Sequence, residues 1–222
     1  MTSKIVGVTF GFPDLHEHGS AFYQFLGLRK RFFVDTLNWQ IPHNDAVEMD
    51  QYDNPTAEYS LALRDGEVVG GARIMRFADR WGIHGCMLQD AAEGRIPGIP
   101  EDLLPRDRSF AHASECTRLV LSDKLTSTSE RQQALSLVVA GLVSLAIAQG
   151  TRELVTLTVP GFRRSLRKLG YGVDQLGEKY QNDMDGRSYA ILRMPARHAA
   201  VASDKPQMLP ANEGFVPRKA NI

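Results

Sequence analysis

The sequence predicts one α/β or α+β domain, in which helices alternate with the strands of a mostly antiparallel sheet. Strand patterns recur along the first 195 residues, a tight hairpin joins two of them, and helical patterns separate others. The length of 222 residues, with no linker-like stretch before Pro195, favours a single domain. After Pro195 the composition shifts to alanine, proline and polar residues. We therefore predict a domain at 1–195 and a tail outside the core at 196–222.

Composition and charge exclude several classes of protein. The 26 basic and 26 acidic side chains give zero net charge, which argues against a nucleic-acid coat or a cationic membrane binder. Two cysteines exclude a disulfide scaffold, and the six histidines include no pair at metal-ligand spacing, so no metal site is expected. The N-terminus does not resemble a signal peptide, and the apolar stretch 134–148 is shorter than the roughly 20 residues of a membrane span. We expect a soluble, cytoplasmic protein whose partners are neither nucleic acid nor membrane.

The N-terminal region predicts a strand, a helix and an acidic loop. Apolar alternation indicates a strand near 4–10. The helical spacing that follows ends at Phe33 and places Arg29 in an apolar stripe, one turn earlier. The next segment, 45–58, holds five acids and no base.

Strands at 59–64 and 67–77 are predicted to form a hairpin. They flank Asp65-Gly66, a pair that favours the positive φ angles of a two-residue turn. Both faces of the second strand are apolar, so Arg73 on this strand is predicted to point inward. An unpaired buried charge is too costly, and the acidic segment upstream is the obvious source of an anion.

The second half predicts a core helix between strands. The stretch 80–112 is rich in glycine and proline, which predicts loop with short helices, and a strand follows at 115–121. Ser127 with Glu130 forms a capping box, and the helix that it begins runs to residue 149. Apolar residues surround most of this helix, so we expect it to be central and buried.

The last elements are a strand, a short basic helix and a closing hairpin. A strand at 153–159 ends at Pro160-Gly161, and strands near 172–181 and 187–194 flank a turn that contains Asp185-Gly186. The intervening helix has a basic outer face, formed by Arg163, Arg164, Arg167 and Lys168. Such a face is usually solvated, and its functional alternative is docking of an acidic partner or a phosphate.

The charged residues of the first half can form a pocket for a zwitterion. Composition alone favours a solvated acidic loop, but two cations in apolar surroundings need anions. Arginines would pair with a carboxylate, aspartates with an ammonium, and aromatic rings with an organic cation. The residues that would converge are Arg29, Phe33, Trp39, Asp50, Asp53 and Arg73.

Glu115 and Arg118 lie three residues apart on one predicted strand. Regular alternation sends them to opposite faces, so they serve one site only if the strand carries a bulge. The alternative is a solvated glutamate and an edge arginine. A glutamate at the mouth of a buried site is the type of group whose pKa rises enough for it to act as a base.

In this order, these residues resemble the acyl-homoserine-lactone synthases, the autoinducer synthases of bacterial quorum sensing. The resemblance covers roughly residues 25 to 195, by the single-domain interpretation. One position departs from the family: Ala92 stands where a phenylalanine usually follows the Met-Leu pair. The pattern consists of Arg29, Phe33 and Trp39, then Asp50 and Asp53, Arg73, and Glu115 with Arg118.

The resemblance implies a GNAT-like three-layer fold, a twisted mixed sheet with helices on both faces and splayed central strands. It implies that the enzyme joins S-adenosylmethionine, a substrate rather than a cofactor, to an acyl chain carried on acyl carrier protein or coenzyme A. The reaction releases methylthioadenosine and an N-acyl-L-homoserine lactone. Glu115 would accept the amine proton, Arg118 would hold the network together, and the zwitterion pocket would bind S-adenosylmethionine.

The resemblance also implies an acyl site and a docking face. A hydroxyl at Thr156 is similar to members that favour 3-oxo chains, and the basic helix face could dock the acidic carrier protein. The residues at acyl-chain positions are Thr117, Thr156, Thr158 and Phe162.

Two other functions stay open at this point. A generic GNAT N-acetyltransferase carries a glycine-rich loop that cradles pyrophosphate, whereas the corresponding stretch here contains no glycine. A non-catalytic ligand-binding relative would keep the pocket without turnover.

Overall fold

The structure, a computed structural model, describes residues 4–183 and 185–199. Of the predicted tail, only 196–199 fall within this range, and Ala196 and Ala199 pack against the hydrophobic core there. The rest of the predicted tail lies outside the described residues. The division at Pro195 therefore stays a prediction.

The described residues form strands and helices close to the predicted positions. The strands are β1 (Ile5–Gly11), β2 (Glu58–Arg64), β3 (Glu67–Arg76), β4 (Ala113–Leu121), β5 (Glu153–Thr158), β6 (Asp174–Gln181) and β7 (Ser188–Pro195). The helices are α1 (Ala21–Arg29), α2 (Met87–Ala92), α3 (Thr128–Ala148) and α4 (Phe162–Lys168). A 3₁₀-helix at Phe12–His18 precedes α1, and a π-helix at Lys30–Thr36 continues it, where the spacing had predicted one regular helix.

The strands form one sheet in the order β1-β2-β3-β4-β5-β7-β6. Neighbours are antiparallel except β4 and β5, which are parallel and pair only where Ala113–Glu115 lie opposite Glu153–Val155. Beyond these residues the two strands separate. The predicted mixed sheet with splayed central strands is therefore confirmed, and the gap lies at its centre.

Helices cover both faces of the sheet, as the three-layer prediction requires. On one face, α3 packs against β1, β2 and β3, and Ser60 on β2 donates a hydrogen bond to the Val138 carbonyl at 2.9 Å. A side chain at Gly141 would meet Ser60 Oγ at 2.1 Å, so the close approach of α3 requires glycine there. By length and composition α3 could cross a membrane, but 56% of its apolar window is buried inside the protein. It is the central core helix that the sequence predicts.

On the other face, α1 lies against β3. A side chain at Gly71 would meet the Phe25 ring at 2.8 Å and Leu61 at 2.4 Å, so glycine allows α1 to sit directly on the sheet. This approach brings the last residue of α1, Arg29, to the centre of the sheet. Its partners there belong to the loop between the π-helix and β2.

Candidate active site: a buried charge network at the gap in the sheet

Arg29 is fully buried and is neutralised by two carboxylates of the acidic segment. Its Nε lies 2.5 Å from Glu48 Oε2, and its two Nη atoms donate to the carboxylate of Asp53 at 2.7 and 2.9 Å. The guanidinium thus makes a bidentate pair, which fixes its plane as well as its charge. Its carbon lies 5.4 Å from the Phe25 ring centre on the preceding turn of α1.

Arg73 is also fully buried and points inward, as the sequence predicts. It donates to Asp50 at 2.6 and 3.2 Å and lies 2.9 Å from Asp53 Oδ1. Its Nε donates to Thr117 Oγ1 on β4 at 3.2 Å. The predicted anion for this buried cation is therefore present, and it is shared with Arg29.

Arg118 joins the network through the bulge that the spacing of Glu115 and Arg118 requires. The β3–β4 register shifts between Gly71 and Arg73, and Arg118 has φ 57°, in the left-handed region. The extra residue turns the Arg118 side chain to the face that Glu115 occupies. Its Nη2 donates to Asp50 at 2.7 Å, and its Nε lies 3.3 Å from both Glu48 oxygens. The alternative, a solvated glutamate and an edge arginine, is wrong, because Glu115 is buried and Arg118 pairs with Glu48 and Asp50.

Glu48 is the member of the network that sequence reasoning missed. It is fully buried and bridges Arg29 and Arg118, so three arginines face three carboxylates. The signal was its position two residues before Asp50 in the acidic segment, which places it near the same cations. Without Glu48, the network would hold one uncompensated buried positive charge.

The charges of the network hold one another in the ionised state. Burial works against the ionised form of Asp50, but Arg73 and Arg118 outweigh it and hold the pKa of this carboxyl well below its usual range. Burial likewise opposes ionisation of Asp53, and Arg73 and Arg29 lower its pKa. Burial also opposes the charge of Arg73, and the two aspartates raise its pKa well above the ordinary value. The network is therefore a rigid set of fixed charges at neutral pH.

Glu115 lies on the same face but outside this ion network. It is 2% exposed, and its carboxylate accepts a hydrogen bond from the Leu88 amide in the first turn of α2 at 3.1 Å. Burial raises the pKa of Glu115 to about 7, although the Cys86 thiol, Arg73 and the first amides of α2 favour the ionised form. At neutral pH the group is poised between acid and base.

A cavity of about 670 Å³ passes through the gap between β4 and β5. Of the residues predicted to bind S-adenosylmethionine, Phe33, Trp39 and Asp50 line it, together with Arg118. Arg29, Asp53 and Arg73 lie behind this wall and are saturated by their protein partners, and Glu115 also lies behind the lining. The buried arginines thus support the wall rather than offering free donors.

An aromatic wall stands beside the charged part of the cavity. Phe33 and Trp39 stack with ring centres 5.0 Å apart at 28°, and the Arg118 guanidinium lies 5.5 Å from the Phe33 ring centre. Tyr52 adds a third ring, 5.5 Å from the Arg73 guanidinium. The π-helix at Lys30–Thr36 positions Phe33 on this wall. Rings next to fixed anions make a surface that suits an organic cation.

The other part of the cavity is apolar and lies on the α3 side of the sheet. Its walls include Val139 and Leu142 of α3, Leu154 of β5 and Leu166 of α4. The four residues at predicted acyl-chain positions all line the cavity: Thr117, Thr156, Thr158 and Phe162. Ala92, the departure from the family pattern, lies elsewhere, at a second hollow next to Phe77 and Phe110.

The basic face of α4 lies at the surface. Arg164, Arg167 and Lys168 are exposed and Arg163 is half-buried, while Phe162 and Leu166 of the same helix line the cavity. Arg167 donates to the Val173 carbonyl at 2.9 Å. Within the described part of the chain, no ion pair involves these four side chains.

The comparisons with known sequences agree with this geometry. A family model described as autoinducer synthase matches residues 14–202. An acyl-homoserine-lactone synthase of Agrobacterium fabrum is 28% identical over 214 residues, covering 93% of this chain and 92% of the relative. One from Rhizobium radiobacter is 29% identical over 177 residues, covering 75% of this chain and 76% of the relative.

Solved structures share the fold. The crystal structure of TofI in a ternary complex with an inhibitor and MTA matches with a TM-score of 0.65 and 24% identity, covering 86% of this chain and 91% of that one. The CoA-dependent acyl-homoserine lactone synthase BjaI, with SAM and isopentyl-CoA, has a TM-score of 0.69 at 18% identity, covering 87% and 84%. The synthase LasI has a TM-score of 0.68 at 20% identity, covering 88% and 92%.

Proposed function

Because the chain belongs to the autoinducer synthase family, its activity is that of an acyl-homoserine-lactone synthase, and we propose how its residues carry out that reaction. The enzyme joins S-adenosylmethionine to an acyl thioester and releases methylthioadenosine. One observation carries the proposal: a rigid ion network opens onto the gap in the sheet beside Glu115, a buried carboxyl with a pKa of about 7. Charge recognition and proton removal are therefore available at one place.

S-adenosylmethionine binds against the wall formed by Asp50, Arg118, Phe33 and Trp39. Its ammonium faces Asp50, its carboxylate faces Arg118, and its sulfonium lies against the aromatic rings. The residues behind the wall act through these groups. Arg73 and Arg29 hold Asp50 and Asp53 in place, so the ligand meets a prearranged set of charges.

Glu115 is the base of the acylation step. An ammonium has no lone pair, so it must lose a proton before it attacks the thioester carbonyl. Because Glu115 lies just behind the cavity lining, a water carries this proton to its carboxylate. The new amide bond forms as the carbon–sulfur bond of the thioester breaks, and the thiolate leaves with a proton.

The gap in the sheet suits the thioester. Where β4 and β5 separate, backbone N–H groups directed into the gap have no ladder partner across it in the described structure. Such donors stabilise the negative charge that develops on the carbonyl oxygen. The methionyl carboxylate then attacks the carbon next to the sulfonium, and methylthioadenosine departs as the lactone ring closes.

The acyl chain lies in the apolar part of the cavity, between α3 and α4. Thr156, Thr158 and Phe162 contact it there, and Thr117 contacts it where the gap meets the charged part beside Arg73. A hydroxyl at Thr156 suits a 3-oxo group, to which it can donate a hydrogen bond. Val139 and Leu142 of α3 limit the depth of this part. Their size therefore sets the longest chain that fits.

Acyl carrier protein is the proposed donor, in preference to coenzyme A. The basic face of α4 offers four cations directly outside the cavity, which suits an acidic carrier. The N-terminus of α3 is already capped by Ser127, with the Glu130 carboxylate beside it, so its amides are not free for a diphosphate. Both substrates are made in the cytoplasm, where we place the enzyme.

A mass-spectrometric assay tests the proposed function. The protein is incubated with S-adenosylmethionine and a matched series of acyl thioesters, on acyl carrier protein and on coenzyme A. We expect acyl-homoserine lactone and methylthioadenosine in equal amounts, with a higher kcat/KM for the carrier protein. A protein that binds S-adenosylmethionine without forming either product is the non-catalytic relative, and release of N-acetylated product alone identifies the generic N-acetyltransferase.

Charge reversal tests the docking face separately. Arg164→Glu with Lys168→Glu should raise KM for the acyl carrier protein at least tenfold and leave KM for S-adenosylmethionine within twofold. Lys179→Glu, an exposed lysine on β6, is the control for a general charge effect. An unchanged KM for the carrier in the double variant would remove α4 from the docking surface.

A further inference from the structure

Asp185 lies in the β6–β7 turn, where the sequence predicts only a tight turn. Its neighbour Gly186 has φ 65°, and the Gly186 amide donates to the Asn182 carbonyl at 2.8 Å, so the predicted turn is present. The Asp185 side chain, however, does not face solvent alone. It is half-buried and points towards a residue 146 positions earlier in the chain.

Asp185 binds the indole of Trp39. Its Oδ2 accepts hydrogen bonds from Trp39 Nε1 at 3.0 Å and from the Tyr189 hydroxyl at 2.6 Å, and its Oδ1 accepts from the Arg187 amide at 3.0 Å. Burial works against ionisation, but these three donors lower the pKa of Asp185. The group is therefore a carboxylate at neutral pH, with each bond directed at a fixed donor.

The hydrogen bond between Asp185 and Trp39 connects two distant parts of the chain that line the cavity. Trp39 follows Asn38, which has φ 56°, and it stacks on Phe33, whose ring lies against Arg118. On the other side, Tyr189 meets Trp39 edge-on at 6.3 Å. Trp39 and Tyr189 both line the cavity, whereas Asp185 does not.

Within the described residues, Asp185 is the one hydrogen-bond partner of the Trp39 ring, whose aromatic contacts are with Phe33 and Tyr189. Trp39 is half-buried, lies on the loop that leads from the π-helix towards the acidic segment, and its indole N–H is its only side-chain donor. Without Asp185, the ring keeps its stacking on Phe33 but loses the bond that fixes its rotation about the Cβ–Cγ axis. The bond therefore determines which part of the indole faces the cavity.

We propose that Asp185 is a positioning residue for S-adenosylmethionine, because it fixes the indole of Trp39 from the opposite half of the sheet. The inference rests on the proposed binding of S-adenosylmethionine against Trp39 and goes beyond it by assigning the residue that orients this ring. Asp185 acts through Trp39 and does not touch the reacting atoms. It also links the wall against which S-adenosylmethionine binds to the β6–β7 hairpin, whose Tyr180 and Tyr189 line the cavity.

The test combines kinetics with the fluorescence of Trp39. The chain has two tryptophans, and Trp81→Phe removes the other one, which is 53% exposed. In this background, Asp185→Ala should raise KM for S-adenosylmethionine about fivefold to tenfold and leave kcat and the KM for the acyl donor within threefold. Trp39 emission should shift to longer wavelength and become easier to quench with acrylamide. Asp185→Asn should have a smaller effect than Asp185→Ala, because its amide oxygen can still accept from Trp39 and Tyr189 although its NH₂ group cannot accept from the Arg187 amide.

A double-mutant cycle separates positioning from a general loss of stability. Trp39→Phe removes the indole N–H, so Asp185→Ala should add less than a twofold change in KM on top of it. Asp183→Ala, an exposed acid in the same turn, is the matched control and should resemble wild type. Asp185→Ser, which keeps a turn-forming residue, replaces Asp185→Ala if that variant does not fold.

Two results would overturn the inference. One is an unchanged KM and an unchanged emission in Asp185→Ala. The other is a double variant in which the increases in KM from Asp185→Ala and Trp39→Phe multiply, because independent residues give multiplicative effects. Failure of the proposed function has a different signature. In that case the wild-type protein itself releases no methylthioadenosine, while the fluorescence of Trp39 still reports whether Asp185 holds the ring.

Discussion

Replacing Glu115 with glutamine should change the pH dependence of stability, because this carboxyl titrates differently in the folded and unfolded chain. Burial raises its pKa from 4.5 to about 7 in the folded protein. The folded state thus binds the proton more tightly than the unfolded state does. The stability that this proton contributes is complete below pH 4.5 and is lost as the pH rises through 7.

Because most of the titration between 4.5 and about 7 falls in this interval, the loss between pH 5 and pH 8 amounts to about 2.5 kcal/mol. Glutamine has nearly the same shape, can accept from the Leu88 amide and does not titrate. The free energy of unfolding of Glu115→Gln, relative to wild type, should therefore rise by about 2.5 kcal/mol from pH 5 to pH 8. Guanidinium unfolding followed by circular dichroism measures it at both pH values.

A surface glutamate gives the control for this experiment. Glu178→Gln on β6 replaces an exposed carboxyl, and its effect on the free energy of unfolding should be the same at pH 5 and pH 8 within about 0.5 kcal/mol. If Glu115→Gln behaves in the same way, the carboxyl of Glu115 is not perturbed by burial. The argument for its role as a base at neutral pH would then lose its physical ground.

Three further predictions follow from the network and the cavity. Glu48→Gln leaves Arg29 and Arg118 short of one buried anion and should lower the free energy of unfolding by about 3 kcal/mol, measured by denaturant titration. The control Glu67→Gln breaks an exposed pair with Lys124 and should lower it by less than about 1 kcal/mol. Equal effects of the two variants would contradict the network. Because the ion pairs lower the pKa values of Asp50 and Asp53, both carboxylates stabilise the folded state above pH 4, and this stabilisation is lost as the pH falls further. Tm should therefore drop steeply between pH 4 and pH 2.5. A Tm that stays constant over this range would contradict the ion pairs. Leu142→Trp fills the apolar part of the cavity and should lower kcat/KM for long acyl chains at least tenfold, with little effect on short ones. Competition assays read by mass spectrometry measure this ratio. An equal loss of kcat/KM for long and short chains would place the acyl chain elsewhere.

Sequence patterns located most of the elements and most of the network, because both depend on local signals. The capping box at Ser127 and the turn at Asp65-Gly66 act within a few residues, and the structure has both. The inward position of Arg73 followed from strand alternation and the cost of a buried charge. These are short-range rules, and they succeed where the backbone is regular.

The remaining features depend on irregular backbone or distant contacts. The spacing of Glu115 and Arg118 requires a bulge only if both serve one site. Whether the bulge forms depends on the pairing of β4 with β3, which the local sequence does not determine. Local sequence does not distinguish Glu48 from the other acidic residues of its loop, because its role depends on contact with Arg118, which lies 70 residues later in the chain. Strict alternation along β3 would place Val69 on the same side as Arg73, but an irregularity in the β2–β3 pairing moves Val69 to the α3 side of the sheet.

The role of Asp185 also depends on a distant contact that local sequence does not indicate. Its sequence context is a complete explanation for a turn, so nothing local indicates a partner 146 residues away. Such a contact exists only because β7 lies between β5 and β6 and brings the hairpin to the mouth of the cavity. Topology of this kind is decided by the whole chain.

The most direct measurement compares binding and turnover in one variant of the base. Titration calorimetry gives Kd for S-adenosylmethionine, and single-turnover release of methylthioadenosine gives the rate, for wild type and Glu115→Gln. Proton removal at Glu115 predicts a Kd within threefold of wild type and a rate at least a hundredfold lower, since general base catalysis contributes about 100-fold or more. Release at a near-normal rate by Glu115→Gln would contradict it.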